Sequence, residues 1–188
     1  MKINTENLIN KLIQITEKNI KEVQSFKDLT DKELNAKTNG ESWSILECIE
    51  HLNRYGNFYI PEIRKRMENS NFKKSAMFRS GILGNYFAKS MLPKEKLKKV
   101  KTFNSMNPNN SSLDRNVLNE FLHQQESILE FLNKARNIDL TRTKTSISIS
   151  KWIKLRLGDT LRVVIYHNLR HIVQAKRMIK SPAGNNLM

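Results

Sequence analysis

Two histidines four positions apart are the residues of this chain best suited to carry out chemistry. His167 and His171 lie within residues 158–178, where apolar residues recur at helical spacing, so both rings leave the same side of one helix. Leu161 and Val164 share that side, which directs the pair towards a core. Two imidazoles on one helical face can bind a single metal ion. The spacing also arises by chance, and a pair of hydrogen-bonded core histidines is the alternative interpretation.

A third histidine strengthens the metal interpretation. His51 lies beside the apolar stripe of a helix that a Ser44-x-x-Glu47 capping box should open, and a helix bundle can bring it opposite the pair. Cys48 precedes His51 by about one turn and could join the site, but a small buried thiol is the favoured interpretation. His123 falls on the polar side of its helix, and we exclude it.

Four amphipathic helices are predicted to position these residues. They should cover residues 3–24, 45–69, 113–136 and 158–178, the first starting at Asn4 or Thr5. Ser111 or Ser112, with Asp114, should cap the third helix, and Asp159 should be the N-cap of the fourth. A Thr30-x-x-Glu33 capping box predicts a short helical turn. We expect one domain over residues 1–180, and a frayed tail over residues 181–188.

The connections between these helices are less regular. Residues 72–91 should hold a short helix over a bundle end, residues 93–101 are highly charged, and residues 101–112 should form an extended crossing segment. Such a long connection allows the second and third helices to run in the same direction. Residues 145–150 alternate as in a strand, but one isolated strand lacks a partner, so we interpret them as an extended loop. The apolar residues that follow should cover a bundle end: Trp152, Ile153, Leu155 and Leu157.

Composition narrows the class of protein. The net charge is +15, and residues 61–101 and 134–180 each carry 12 basic side chains, against 3 and 2 acidic ones. This surface would attract anionic molecules, although it matches no DNA-binding motif, so nucleic acid is the less favoured partner. Cys48 is the one cysteine and cannot form an internal disulfide. Without a membrane span or signal peptide in the sequence, we expect a cytoplasmic location, no membrane partner and, as an open option, a homodimer.

Three segments, in chain order, resemble the DinB/YfiT superfamily. They are residues 43–52, which begin Trp-Ser and end with His51-Leu, the crossing segment with Pro108, and residues 157–174, which contain His167-x-x-x-His171-x-x-Gln174. The resemblance implies an all-α, four-helix bundle of up-down-down-up order, with the long connection between helices 2 and 3. It also implies a divalent metal held by His51, His167 and His171.

The resemblance further implies a metal-dependent enzyme. Members include bacillithiol-dependent thiol S-transferases, mycothiol-dependent isomerases and proposed metal hydrolases. We therefore expect a divalent-metal-dependent thiol S-transferase that activates a low-molecular-weight thiol, with a metal hydrolase as the alternative. A basic, non-enzymatic bundle that binds nucleic acid or an acidic protein is a third hypothesis. Nitrogen ligands suit zinc, nickel, copper or iron; we expect zinc or nickel, with iron or manganese as alternatives.

Several further side chains could assist such a site. Arg156 and Arg162 could orient an anionic thiol near the bundle mouth, or could be solvated surface residues. Asn168 and Gln174 could support the metal ligands, and Tyr55 and Tyr166 could donate protons. For these four residues, ordinary packing or surface roles are the alternative.

Overall fold

The computed structural model describes residues 1–40, 42–93 and 102–180. Six helices and four short strands follow one another along this part of the chain. The helices are α1 (Thr5–Ser25), α2 (Asp31–Asn35), α3 (Ile45–Glu68), α4 (Ile82–Met91), α5 (Asn116–Ala135) and α6 (Leu157–Lys180). The strands are β1 (Lys2–Asn4), β2 (Met77–Arg79), β3 (Lys144–Ile147) and β4 (Ser150–Arg156). The expected tail, residues 181–188, and residues 94–101 of the charged segment lie outside the described residues.

The four long helices form a bundle, as predicted. Helix α3 packs against α5 and α6, and α1 packs against the same two helices. Leucine, isoleucine and phenylalanine side chains from all four helices fill the space between them, among them Leu12, Ile63, Phe131 and Leu161. This burial is the main stabilising contribution to the fold. None of the helices in the described residues combines the length and apolar content that a bilayer span requires.

Local sequence signals set several helix starts correctly. Asn4 caps α1 by accepting a hydrogen bond from the backbone N–H of Asn7. Thr30 and Ser44 each form the predicted capping box, in which the side chain of the glutamate three residues later accepts from the backbone N–H of the cap residue. Helix α3 continues through Pro61 to Glu68.

The region after α5 departs from the predicted loop. Strands β3 and β4 form an antiparallel hairpin in which Thr145 lies opposite Leu155. The extended-loop interpretation of residues 145–150 was therefore wrong, because the missing partner strand is the segment that directly follows. Trp152 is 94% exposed and Ile153 is 39% exposed, so these two do not cover a bundle end, whereas Leu155 and Leu157 are buried.

Two predicted helix caps were also wrong. Helix α6 begins at Leu157, so Asp159 lies inside its first turn rather than at the cap. Its buried carboxylate instead accepts hydrogen bonds from the hydroxyl of Ser80, the backbone N–H of Gly81 and the guanidinium of Arg162. Helix α5 begins at Asn116, and neither Ser111 nor Ser112 caps it; of the predicted group, only Asp114 bonds there, by accepting from the backbone N–H of Asn116 at 2.8 Å.

The long connection between α3 and α5 carries a layer that closes over α6. Helix α4 lies within residues 72–91, as expected, and packs against α6 and β4. Strand β2 pairs with β1 at the start of the chain, with Phe78 opposite Ile3. Residues 102–115, which we call the crossing segment, lead into α5 and contain a 3-10 turn at Asn104–Met106. This turn contacts α3, which brings it beside the histidines described next.

Candidate metal centre

Three imidazoles from two helices meet inside the bundle. His51 lies on α3, and His167 and His171 lie one turn apart on α6. Each offers a ring nitrogen, and these three nitrogens lie within 4.8 Å of one another. Within the described residues, no other group of three or more histidine, cysteine, aspartate or glutamate side chains has this potential for metal binding. The inward-facing histidines of α3 and α6 therefore meet at one point.

The hydrogen bonds of His51 define its free nitrogen. Its Nδ1 atom lies 2.7 Å from the carbonyl oxygen of Met106. A carbonyl oxygen only accepts, so Nδ1 carries the proton and Nε2 has a free lone pair. Metal-binding histidines commonly donate their second ring N–H to such an acceptor, which fixes the ring orientation. The crossing segment thus holds His51 ready to act as a ligand.

The spacing of the nitrogens fits a single ion. The Nε2 atoms of His51 and His167 lie 3.2 Å apart. Two nitrogens bound tetrahedrally at zinc distances of about 2.0–2.1 Å would be about 3.3 Å from each other. The Nδ1 atom of His171 is buried and has no hydrogen-bond partner among the described residues. A buried polar atom without a partner is costly, and a role in a metal site would account for it.

The surroundings keep all three rings neutral, which is the form that binds metal. Burial lowers the pKa of His51 to about 4, although its hydrogen bond to Met106 opposes the shift. Burial also lowers the pKa of His167 well below its usual value, and the neighbouring His171 and His51 add to this effect. The pKa of His171 is lowered in the same way, by burial first and by His51 second. Neutral imidazoles retain the lone pair that a metal ion needs.

Aromatic rings enclose the cluster. The Trp43 ring lies 4.7 Å from that of His51 and 5.7 Å from that of His171, measured between centroids. The Tyr55 ring lies 4.9 Å from His51 and 4.8 Å from His167. Burial raises the pKa of the Tyr55 hydroxyl, so this group stays protonated at neutral pH. Such packing restricts the imidazoles to one arrangement.

The cluster opens into a large cavity. Its volume is about 1270 Å³, and α3, α4, α6 and the crossing segment contribute most of its lining. Arg170 and Arg177 are the charged side chains among the described residues that line it, and no carboxylate does so. The described part of the cavity wall therefore carries positively charged side chains and no negatively charged ones.

The predicted assisting residues divide into two groups. Tyr55, Asn168 and Gln174 line the cavity, and the side-chain amide of Asn168 donates to Gln125 at 3.0 Å. Tyr166 is buried in the core and does not line the cavity.

Cys48 and His123, the two other side chains considered as metal ligands, lie outside the cluster. Cys48 is buried, and burial raises the pKa of its thiol, consistent with a packing role. His123 is exposed on α5, as its polar surroundings predicted.

Neither of the two arginines that could orient an anionic thiol at the bundle mouth lines the cavity. Arg162 is only 4% exposed and pairs with Asp159 at 3.0 Å, because α4 and its preceding loop cover this part of α6. Arg156 donates to the backbone carbonyl of Arg79 and is not part of the cavity wall. Arg170 and Arg177 occupy the expected place instead. Their positions three and ten residues after His167 put them near the histidine face of α6, which is a signal that the sequence contained.

Comparisons with known proteins place this architecture in a family. The DinB superfamily model matches residues 16–175, and the chain belongs to this superfamily, as its sequence motifs predicted. One similar solved structure is YfiT from Bacillus subtilis, described as a probable metal-dependent hydrolase with an unusual four-helix bundle topology. The two chains share 12% identity with a TM-score of 0.57, over 92% of this chain and 86% of YfiT. A comparison with curated proteins finds no match.

Proposed function

We propose that this protein is a metal-dependent enzyme whose divalent ion is held by His51, His167 and His171. The meeting of three neutral imidazoles at one point of a large cavity supports this proposal. Three protein ligands leave at least one coordination position for a reactant, as in catalytic metal sites. We propose zinc or nickel as the ion, with iron or manganese as alternatives, since imidazole nitrogens suit several of these metals.

For the reaction, we propose transfer of a low-molecular-weight thiol, such as bacillithiol, to an electrophilic substrate. An ion at this site would lower the pKa of a bound thiol, so that the thiolate is present at neutral pH. The sulfur forms a bond to the electrophilic atom, and the leaving group departs with its electron pair. Arg170 and Arg177 add positive charge to the wall, which favours an anionic thiol.

One observation favours the thiol over water as the nucleophile. No carboxylate lines the cavity among the described residues, so none of the described aspartates or glutamates supplies the general base that commonly accompanies a metal-activated water. A thiol, with an ordinary pKa of about 8.5, needs less assistance to ionise than water does. The cavity volume of about 1270 Å³ also exceeds that of most single-ligand pockets, about 300–1000 Å³, which leaves room for two reactants.

Hydrolysis is the second candidate. It is favoured by the similarity to YfiT, which is described as a probable metal-dependent hydrolase. In that case the protonated hydroxyl of Tyr55, beside His51 and His167, is the nearest candidate to donate a proton to the leaving group. A purely non-enzymatic basic bundle is less favoured, because it gives no reason for three buried neutral histidines around one cavity.

A thiol-conjugation assay separates these alternatives. Metal-loaded protein, purified without an affinity tag, is mixed with bacillithiol, coenzyme A, glutathione or cysteine and with 1-chloro-2,4-dinitrobenzene, and the thioether absorbance is followed. We expect conjugation above the uncatalysed rate with at least one thiol, its loss in His51→Ala and His167→Ala, and its retention in His123→Ala. Thiol-independent cleavage of p-nitrophenyl acetate by the same samples would support the hydrolase instead. No acceleration of either reaction would overturn both proposals.

We also propose the up-down-down-up order for the four long helices. Contacts between α3 and α5 support a parallel pair, because Asn53 bonds to the carbonyl of Val117 and Arg64 lies over the ring of Phe131. Between α1 and α6, the pair Lys176–Glu22 joins the two C-terminal parts. The cytoplasmic location, the homodimer and the single domain over residues 1–180 remain predictions.

A further inference from the structure

The histidines divide the cavity into two parts of different chemistry. The chain from Trp43 through the first half of α3 runs antiparallel to α6. Three ring contacts show this: Trp43–His171, His51–His167 and Tyr55–His167. Cavity-lining residues after Tyr55 on α3 and before His167 on α6 therefore lie on one side of the cluster. The cavity-lining residues that precede His51 in the chain, and those that follow His171 on α6, lie on the other side of the cluster.

The side towards the β3–β4 hairpin is mostly apolar, with Gln124 and Ser148 as polar members of its lining, and we name it the apolar lobe. It is lined by Tyr59, Ile60, Phe87, Ile147, Leu155 and Val163. Tyr59 marks its position, since its hydroxyl accepts a hydrogen bond from the backbone N–H of Ser148 in the hairpin turn. Arg170 and Arg177, the charged side chains that line the cavity within the described residues, do not belong to this lobe.

The opposite side is polar and basic. Thr38, Ser42, Asn107, Asn109, Gln174 and Arg177 line it. Arg170 lies between the two sides and contacts α4 through the carbonyl of Ser90. A polar, anionic reactant suits this side, and an uncharged apolar reactant suits the other, because burying a charge against apolar walls is costly.

The apolar lobe also reaches the surface. Ile149 is 52% exposed and Tyr86 is 67% exposed, and both line the cavity. They lie in the hairpin turn and on α4, respectively. Two side chains with large apolar surfaces therefore stand both in the cavity wall and at the protein surface. Apolar side chains left exposed at the rim of a cavity are typical of a binding site.

We propose that the apolar lobe binds the uncharged aromatic or aliphatic body of the second substrate and directs its electrophilic end towards the histidines. The role as a substrate site rests on the proposed function, whereas binding of an apolar molecule does not. The ligand class is an uncharged apolar compound, rather than a sugar, a nucleotide or another charged metabolite.

Binding to metal-free protein tests the lobe independently of any reaction. The probe is N-phenyl-1-naphthylamine, an uncharged dye whose fluorescence rises in apolar surroundings. We expect saturable binding that linear alcohols displace, with affinity rising about fourfold for each added methylene from butanol to octanol.

Variants locate the bound dye. Ile60→Trp, which fills the lobe, should weaken binding at least about tenfold, close to the effect of losing two buried methylene contacts at about fourfold each. Ile149→Ser removes an apolar side chain at the outer end of the lobe and should also weaken dye binding. Because Ile149 is exposed, the fold should be preserved. The matched control is Ile82→Ser, since Ile82 is an apolar side chain that is 96% exposed and does not line the cavity. Circular dichroism checks the fold of each variant.

The outcomes distinguish the two proposals. Absence of dye binding, equal binding by wild type, Ile60→Trp and Ile149→Ser, or loss of binding in Ile82→Ser would overturn the apolar lobe. If dye binds as expected but no thiol reaction occurs, the proposed function fails and the apolar site stands. If the thiol reaction proceeds with small hydrophilic electrophiles as well as with apolar ones, the substrate assignment fails alone.

Discussion

The Nε2 atoms of His51 and His167 lie 3.2 Å apart, although 116 positions separate the two residues in the chain. His51 carries its proton on Nδ1, where it donates to Met106. Nε2 of His51 therefore carries no proton, so His167 is the donor in any hydrogen bond between the two Nε2 atoms. An ion bound to both Nε2 atoms would require the His167 tautomer with its proton on Nδ1, and it would link α3 to α6 at this point.

Metal binding should stabilise the protein and should depend on all three histidines. At a metal concentration of one hundred times Kd, we expect the free energy of unfolding to rise by about 2.7 kcal/mol. Wild type should bind about one ion per chain, as mass spectrometry of untagged protein would show, whereas His51→Ala, His167→Ala and His171→Ala should lose it. His123→Ala is the matched control, since His123 is exposed outside the cluster. Equal metal content in all variants would refute the site.

The metal-free protein should lose stability on mild acidification. Unfolded histidine takes up a proton near pH 6.5, whereas burial keeps the folded-state pKa of His51 at about 4. Stability is therefore fully present above pH 6.5 and declines as pH falls towards 4, by about 1.4 kcal/mol per pH unit for each such histidine. Urea unfolding across this range measures the slope, which should be shallower in His51→Gln. A slope unchanged by this substitution would show that His51 does not contribute.

Gly84 permits the close packing of α4 on α6. A Cβ atom at this position would lie 2.4 Å from Oδ2 of Asp159, whose carboxylate is fixed by Gly81 and Arg162. Alanine normally stabilises a helix interior by about 0.5–1 kcal/mol relative to glycine, but this overlap should reverse the sign. We expect Gly84→Ala to cost about 1–3 kcal/mol in chemical unfolding. Gly40→Ala is the control, since nothing lies within 4 Å of its added Cβ. A neutral or stabilising Gly84→Ala would contradict this account.

The buried pair Asp159–Arg162 should be sensitive to loss of one partner. The two side chains are 0% and 4% exposed, so Arg162→Met leaves a buried carboxylate without its cation and should cost about 3–5 kcal/mol. The exposed pair Lys134–Glu130 is the comparison, and Lys134→Met should cost less than about 1 kcal/mol. Thermal and urea unfolding measure both. Similar small losses for the two variants would show that Arg162 contributes little.

Short-range features of this fold could be predicted from the sequence. The start of α1 at Thr5 and the capping boxes at Thr30 and Ser44 depend on side chains that bond to backbone within three residues. The exposure of His123 follows from helical periodicity in the same way. Such features depend on residues that are close together in the chain, so they can be predicted without knowledge of the tertiary structure. The family motifs were also sufficient to identify the DinB superfamily.

Long-range contacts account for the predictions that were wrong. Asp159 has the residue type of an N-cap, but it bonds to Ser80 and Gly81 from a segment about eighty positions earlier. Helix α4 and the loop before it cover Arg162, so Arg162 does not line the cavity. Arg170 and Arg177 line the cavity instead. The β3–β4 hairpin was not predicted because the apolar residues of β4 are equally typical of a segment that covers the end of a bundle.

By itself, the sequence determined that three histidines lie on inward faces of two helices and that the family is one of helical bundles. Only the tertiary structure decided the distance between His51 and His167, the proton position on His51 set by Met106, and the division of the cavity at the histidines. Helical periodicity fixes the direction of a side chain relative to its own helix. Side-chain packing between helices, which depends on all of their residues together, fixes where two such directions meet.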